Sequence, residues 1–228
     1  MRSQFDKQLA LLNKEMIGMG ALCEEIISKV LKVLADGDGQ LLKGIVTLGA
    51  EIDQKERTIE TLCLKLLLQQ QPVAGDLRQI SAALKMITDM ERIGDQAEDI
   101  AEIIPFVVNR PAKADSLLHE MAEASINMVT ESVDAFVGHN VELAKKVISD
   151  DDIVDNYFTQ IKQELIAEII KNPEDGECSI DLLMIAKYFE RIGDHAENIA
   201  EWVIYSITGS HRKRSGNEKY NSTGGGMT

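Results

Sequence analysis

The twelve residues ERIGDQAEDIAE at 91–102 return almost unchanged as ERIGDHAENIAE at 190–201. The repetition is wider than the motif. Ala83, Met86, Met90, Ile93, Ala97, Ile100 and Ile104 follow one another at steps of three and four. The same offset carries them onto Leu182, Ile185, Phe189, Ile192, Ala196, Ile199 and Val203. Such steps are the seam of an α-helix packed on neighbours. A whole helix written twice with one buried face marks an internal duplication, so both halves must fold alike.

The rest of the chain is helical by the same criterion. Phe5, Leu9, Leu12, Met16, Met19, Cys23, Ile26 and Val30 form a first seam, stopped by ADGDGQ at 35–40. A second helix over 41–70 turns Leu41, Ile45, Leu48, Ile52, Ile59, Leu62 and Leu66 inward. QQQPVAGD (69–76) breaks it, with Asp76 a candidate cap for the third helix, which Pro105 should kink or end. NRPA (109–112) reads as a linker. A fourth helix over 114–138 points Leu117, Met121, Ala124 and Met128 inward. After the GHN turn (138–140), a fifth over 141–171 buries Val147, Val154, Phe158, Ile161 and Leu165. KNPEDGE (171–177) reads as a loop before the sixth. The expected fold is all-α: two tandem three-helix up-down bundles, 1–110 and 113–209, followed by a polar tail over 210–228 expected to be disordered. Aromatic residues at only 4% and few prolines agree with helices rather than a β-sandwich.

The repeated stretch also carries charge in register. With Glu91 set at 0°, about 100° per residue places Asp95 near 40°, Glu98 near −20° and Glu102 near 20°. The carboxylates form one narrow stripe opposite Ile93, Ala97 and Ile100, and Glu190, Asp194, Glu197 and Glu201 repeat it. Gly94 and Gly193 leave room for a close neighbour. One reading is a solvated acidic face. The other is a hard-cation site, because stacked carboxylates repel one another and supply oxygen ligands for Mg, Ca, Mn, Fe or Zn. One stripe coordinates poorly alone. Asp53 on the second helix, and Asp151 with Asp155 on the fifth, are the candidates to complete it.

Charge and chemistry exclude other roles. A formal net charge of −14 repels nucleic acid and anionic lipid. The one basic cluster, HRKR (211–214), is a weak anchor against that field, so direct nucleic-acid binding is not expected. Cys23, Cys63 and Cys178 are scattered and odd in number, which suits a reducing compartment. The N-terminal stretch meets Asp6 and Lys7 early and is no secretory signal, and the apolar run IIPFVV (103–108) is too short to span a bilayer. A cytoplasmic protein is expected.

An enzyme alternative is a carboxylate-bridged metal protein of ferritin-like type, acting as an oxidase or in metal storage. That chemistry needs Glu-x-x-His pairs facing a bundle core. The residues three before His119, His139, His195 and His211 are Ser116, Phe136, Ile192 and Thr208, so the motif is missing. His195, beside Asp194, reads as a solvated histidine ahead of a ligand. No Gly-rich phosphate loop and no Ser/His/Asp or Cys/His array is present, so an enzyme is not expected.

The doubled ERIGD, the QQQPVAGDLR stretch (69–78) and the AEWVIY ending (200–205) resemble the PhoU family of phosphate-signalling regulators over about residues 5–209. The resemblance implies two three-helix bundles with metal clusters on their outer faces, bound through (E/D)xxxD pairs. Glu91 with Asp95, Glu190 with Asp194, and Asp151 with Asp155 fit such pairs, and Asp99 is a further candidate ligand; Gly49 stands where the partner of Asp53 would be, and Asn198 where the first repeat has Asp99. The resemblance further implies a non-catalytic regulator. It would restrain phosphate uptake and silence the phosphate-starvation response through the phosphate ABC transporter's ATPase and a membrane sensor histidine kinase, reached at the inner face of the membrane. A homodimer is also expected.

Overall fold

The structure, a computed structural model, describes residues 2–37, 41–69, 73–107 and 115–210. These form α1 (Arg2–Asp36), α2 (Leu42–Gln69), α3 (Ala74–Val107), α4 (Asp115–Val137), α5 (Val141–Lys171) and α6 (Gly176–Thr208), with no strand among the described residues. The NRPA linker, Pro72 and residues 211–228 of the tail lie outside the described residues.

Three helix ends are set by capping interactions. Gly37 at φ 70° and Gly209 at φ 74° take the left-handed conformation that closes α1 and α6. Their N–H groups donate to Val33 O at 2.9 Å and Tyr205 O at 2.8 Å. Between α4 and α5 the Asn140 side chain accepts from Leu143 N at 3.1 Å, a helix N-cap.

Two local expectations change, at Asp76 and at KNPEDGE. α3 resumes at Ala74, so Asp76 lies in its first turn, where its charge meets the positive end of the helix dipole rather than capping it. Pro105 sits in the last turn of α3, which ends at Val107. KNPEDGE is not an open loop. Pro173–Asp175 form a 3-10 turn that runs straight into α6.

α1, α2 and α3 pack on one another, and α4, α5 and α6 do the same. The two sets join through α3 against α6 and α1 against α4, while α2 and α5 touch only helices of their own set. Arg78 Nε donates to Ser206 O at 3.4 Å and His195 Nδ1 lies 2.9 Å from Asp89 Oδ1, so α3 and α6 run antiparallel. Gly20 lets α1 close on α4: a Cβ there would stand 3.0 Å from Val133. The seams on α1, α2, α3 and α6 are buried almost residue for residue. On α4 the buried face is wider than read. Leu118, Ser125 and Ser132 are fully covered, whereas Leu117 and Ala124 are partly exposed. The buried apolar residues form one continuous core across both sets of helices.

That shared core has a thermodynamic consequence. Phe189 is fully buried on α6, and Phe189→Ala should cost about 3–5 kcal/mol. Urea unfolding followed by circular dichroism should show the loss in a single transition. Two separated transitions, with one half unaffected, would contradict a shared core.

Candidate functional site

The acidic stripes lie in grooves rather than on open surface. α2 crosses α3 at Gly94, where an added Cβ would stand 3.1 Å from Ile52 Cδ1. α5 crosses α6 at Gly193, where it would stand 3.3 Å from Val154 Cγ1 and 3.4 Å from Asp151 Oδ1. The two glycines thus bring each stripe against its outer helix, as their positions in the repeat suggested. Glu91, Asp95, Glu98, Glu190, Asp194 and Glu197 are all half-buried.

In the second half, Asp151, Asp194 and Glu197 converge, each offering a carboxylate oxygen within 4.8 Å of the others. Asp151 is only 5% exposed. Beside them a cleft of about 270 Å³ is lined by Arg191, Asp194, His195, Glu197 and Asn198. Three hard oxygen donors, one of them buried, suit a hard cation. An ion there would neutralise the carboxylates and tie α5 to α6. Two expected ligands lie apart from this trio: Glu190 is ion-paired with Lys187, and Asp155 is on α5 but outside the converging group.

In the first half, Val46, Gly49, Ala50 and Asp53 of α2 face Glu91, Gly94, Asp95 and Glu98 of α3 across a cleft of about 240 Å³. Arginines already serve these acids. Arg92 pairs with Asp95 at 2.8 Å and with Glu91 at 3.5 Å, and Arg57 pairs with Asp53 at 3.3 Å. Burial, then the neighbouring Asp95, pushes Glu91 above the usual carboxylate range, with Glu56 and Asp53 adding to it. Burial, Asp95 and Asp53 do the same to Glu98. Asp99, expected among the ligands, is not part of the cleft lining. Burial and Glu102 raise it while Arg191 of the other half lowers it, so it belongs to the α3–α6 side of the helix.

His195 is not solvated. Its ring bonds Asp89 of α3 at 2.9 Å, and Asn198 Nδ2 donates to the same oxygen at 3.4 Å. Asp89 stood outside every motif, and nothing local in the sequence marks it. Arg92 and Arg191 lay inside the repeat, and their matched positions were the available signal for counter-charges. Cys23, Cys63 and Cys178 are buried and form no disulfide, and burial holds Cys23 and Cys63 up at about 12, far from thiolate reactivity.

The raised acids carry a pH signature. A group whose folded value lies above its unfolded one adds stability fully below the unfolded value and loses it as pH rises through the folded value. In chelator-treated protein, Glu98→Gln should therefore raise the melting temperature at about pH 7.5 and do so less at about pH 5. An equal effect at both pH values would mean that Glu98 is not held out of its ordinary range.

The family description of the PhoU domain matches residues 16–104 and again 118–203, one match for each half. The chain is 34% identical over 212 residues to the phosphate-specific transport system accessory protein PhoU homolog of Clostridium acetobutylicum, covering 91% of this chain and 96% of that protein. It is 30% identical over 210 residues to the protein of the same description from Rhizobium meliloti, covering 91% and 89%. Its structure is similar to the crystal structure of PhoU from Pseudomonas aeruginosa, with a TM-score of 0.85 and 30% identity over 90% of this chain and 100% of that one. It is also similar to the phosphate transport system regulatory protein PhoU from Streptococcus pneumoniae, with a TM-score of 0.83 and 29% identity over 92% and 99%. With both halves matched, and relatives at this identity spanning most of its length, the chain belongs to the PhoU family.

Proposed function

We propose that this protein is a non-enzymatic accessory of a phosphate-specific transport system, restraining phosphate uptake and the phosphate-starvation response when phosphate is plentiful. The observation that carries this is the doubled family match over the two helical sets, with relatives named as accessory proteins of that system. In this reading residues 1–110 and 113–209 are the two duplicated units. The protein works in the cytoplasm, as a homodimer, and reaches the inner face of the membrane by contacting the transporter's ATPase and a sensor histidine kinase. None of the described helices is long and apolar enough to cross a membrane, which supports recruitment through partners. A strain lacking the gene should express its phosphate-starvation genes and take up phosphate faster in phosphate-rich medium. Unchanged expression and uptake would refute the reading.

The acidic clefts are proposed to hold divalent or iron cations, Mg, Mn, Fe or Zn, with no catalytic step. Asp151, Asp194 and Glu197 would hold one, and Asp53, Glu91, Asp95 and Glu98 another. The convergence of the first trio supports this reading, as do the burial and, after it, the neighbouring acids that raise Glu91 and Glu98 above the usual carboxylate range. The ferritin-like alternative gains no support, because the acids open between α2 and α3 or α5 and α6 instead of into the shared core. Binding to the folded state alone stabilises it by RT ln(1 + [L]/Kd), about 2.7 kcal/mol at a hundredfold excess over Kd. Mn or Mg should raise the melting temperature and chelation should lower it, and Asp95→Asn with Asp194→Asn should largely remove the shift. An undiminished shift in that double variant would exclude these residues as ligands.

A further inference from the structure

The two halves also match at their ends, and there they differ in charge. Gly94 packs on Ile52 and Gly193 on Val154, so Ile52 and Val154 are counterparts in the duplication. The same spacing sets Leu64 and Leu68, near the end of α2, opposite Ile166 and Ile170, near the end of α5. All four are large apolar side chains open to solvent, Leu68 at 84% and Ile170 at 75%. The far side of each helix turn adds two more, Val73 with Leu77 in the first half and Ile180 with Met184 in the second. In the second half the helix register draws them together. Val154 meets Gly193 and Lys187 lies over the Phe158 ring at 5.4 Å, a register that sets Ile166 level with Ile180. The antiparallel register of α3 on α6, fixed by Arg78 with Ser206 and Asp89 with His195, sets Phe106 level with the first turn of α6. Phe106 is 68% exposed. Exposed apolar side chains gathered in this way mark an interaction surface.

Charge decides what such a surface can hold. Residues 162–181 carry six acids against Lys162 and Lys171, a formal charge of −4. The matching stretch 60–82 carries two acids and two bases. We infer that the α5–α6 end is a docking surface for a cationic amphipathic segment of a partner protein, a helix with one apolar and one basic face. The inference rests on the accessory-protein reading above for there being a partner, and it names the chemistry of what docks. Ile166, Ile170, Ile180 and Met184 would cover the apolar face, and the surrounding carboxylates would meet the lysines or arginines. An anionic lipid surface or a nucleic acid is repelled by the same carboxylates. A second copy docked end to end would set −4 against −4, and the opposite end, balanced in charge, offers nothing to complement the acids.

The test is fluorescence anisotropy of a labelled synthetic peptide of about 18 residues, leucine and lysine in helical register, titrated with the full chain. The parent should bind it, more weakly as salt rises, and should not bind a leucine–glutamate peptide of the same pattern. Ile170→Ser with Ile180→Ser should weaken binding by about tenfold or more. Glu174→Gln with Glu177→Gln should weaken it and flatten its salt dependence. Leu68→Ser with Val73→Ser, at the matching end, should leave it within about twofold. All six positions are exposed, so the core is untouched and melting should be unchanged. Equal losses in the two apolar double variants, or an unaltered affinity in Ile170→Ser with Ile180→Ser, would overturn the assignment. So would dissociation of the protein's own assembly in that variant, which would make the surface an interface between copies. Binding of the parent to phosphatidylglycerol vesicles, lost in the same variant, would overturn it in favour of a lipid. The peptide reads docking alone. Its failure leaves the phosphate reading standing, and failure of that reading in the deletion strain leaves peptide binding as measured.

Discussion

The antiparallel packing of α3 against α6 is the constraint on which the molecule depends. Each helix carries the same apolar seam, and burying both seams in one core removes them from water together. Once those seams are committed, the opposite stripe of each helix cannot also be core. It is left for the outer helix of its own set, α2 or α5, to cover in part. The glycine inside each motif sets how closely that helix passes. The position of the acidic clefts thus follows from hydrophobic burial.

The duplication is copied in shape and broken in chemistry. The seams, the two glycines and the arginine after each glutamate recur. Against that background the exchanges stand out. His195 finds Asp89 across the junction, while the residue matching it in the first half is Gln96, buried with its carbonyl oxygen unpartnered. Asn198 donates to Asp89, while Asp99, its counterpart, lies within the influence of Arg191. A polar layer between two otherwise equivalent helices therefore differs on its two sides. Charges on the outer faces differ likewise, arginines answering the acids of the first cleft and a buried aspartate joining those of the second.

The adaptor role proposed above would call for surfaces more than for a catalytic pocket. The helices share one core that runs through both sets, and α2 and α5 stand outside, packed only on described helices of their own set. A cation bridging α5 to α6 would stiffen the body further. Metal content and the shape offered to a partner would then be linked through helix packing.

Much of this was determined by the sequence alone. The periods of three and four named the buried residues of α1, α2, α3 and α6 because a helix repeats in angle as it repeats in sequence, and that holds before any tertiary contact exists. The doubled motif likewise announced two equivalent acidic stripes and a fold made of two like halves. Tertiary structure alone decided which acids meet. Asp151 joins Asp194 and Glu197 while Asp155 stays outside, a choice made by the depth at which α5 crosses α6. The solvated reading of His195 failed for the same reason: its partner Asp89 lies on another helix, far away along the chain. The wide buried face of α4 was invisible because part of it is polar: Ser125 and Ser132 are buried with their hydroxyls donating to backbone carbonyls, and an apolar period does not mark them. Gly49 was legible only as a missing acid. That its bare backbone receives the Glu98 side chain depends on a distance between two helices, and no spacing along one of them encodes that distance.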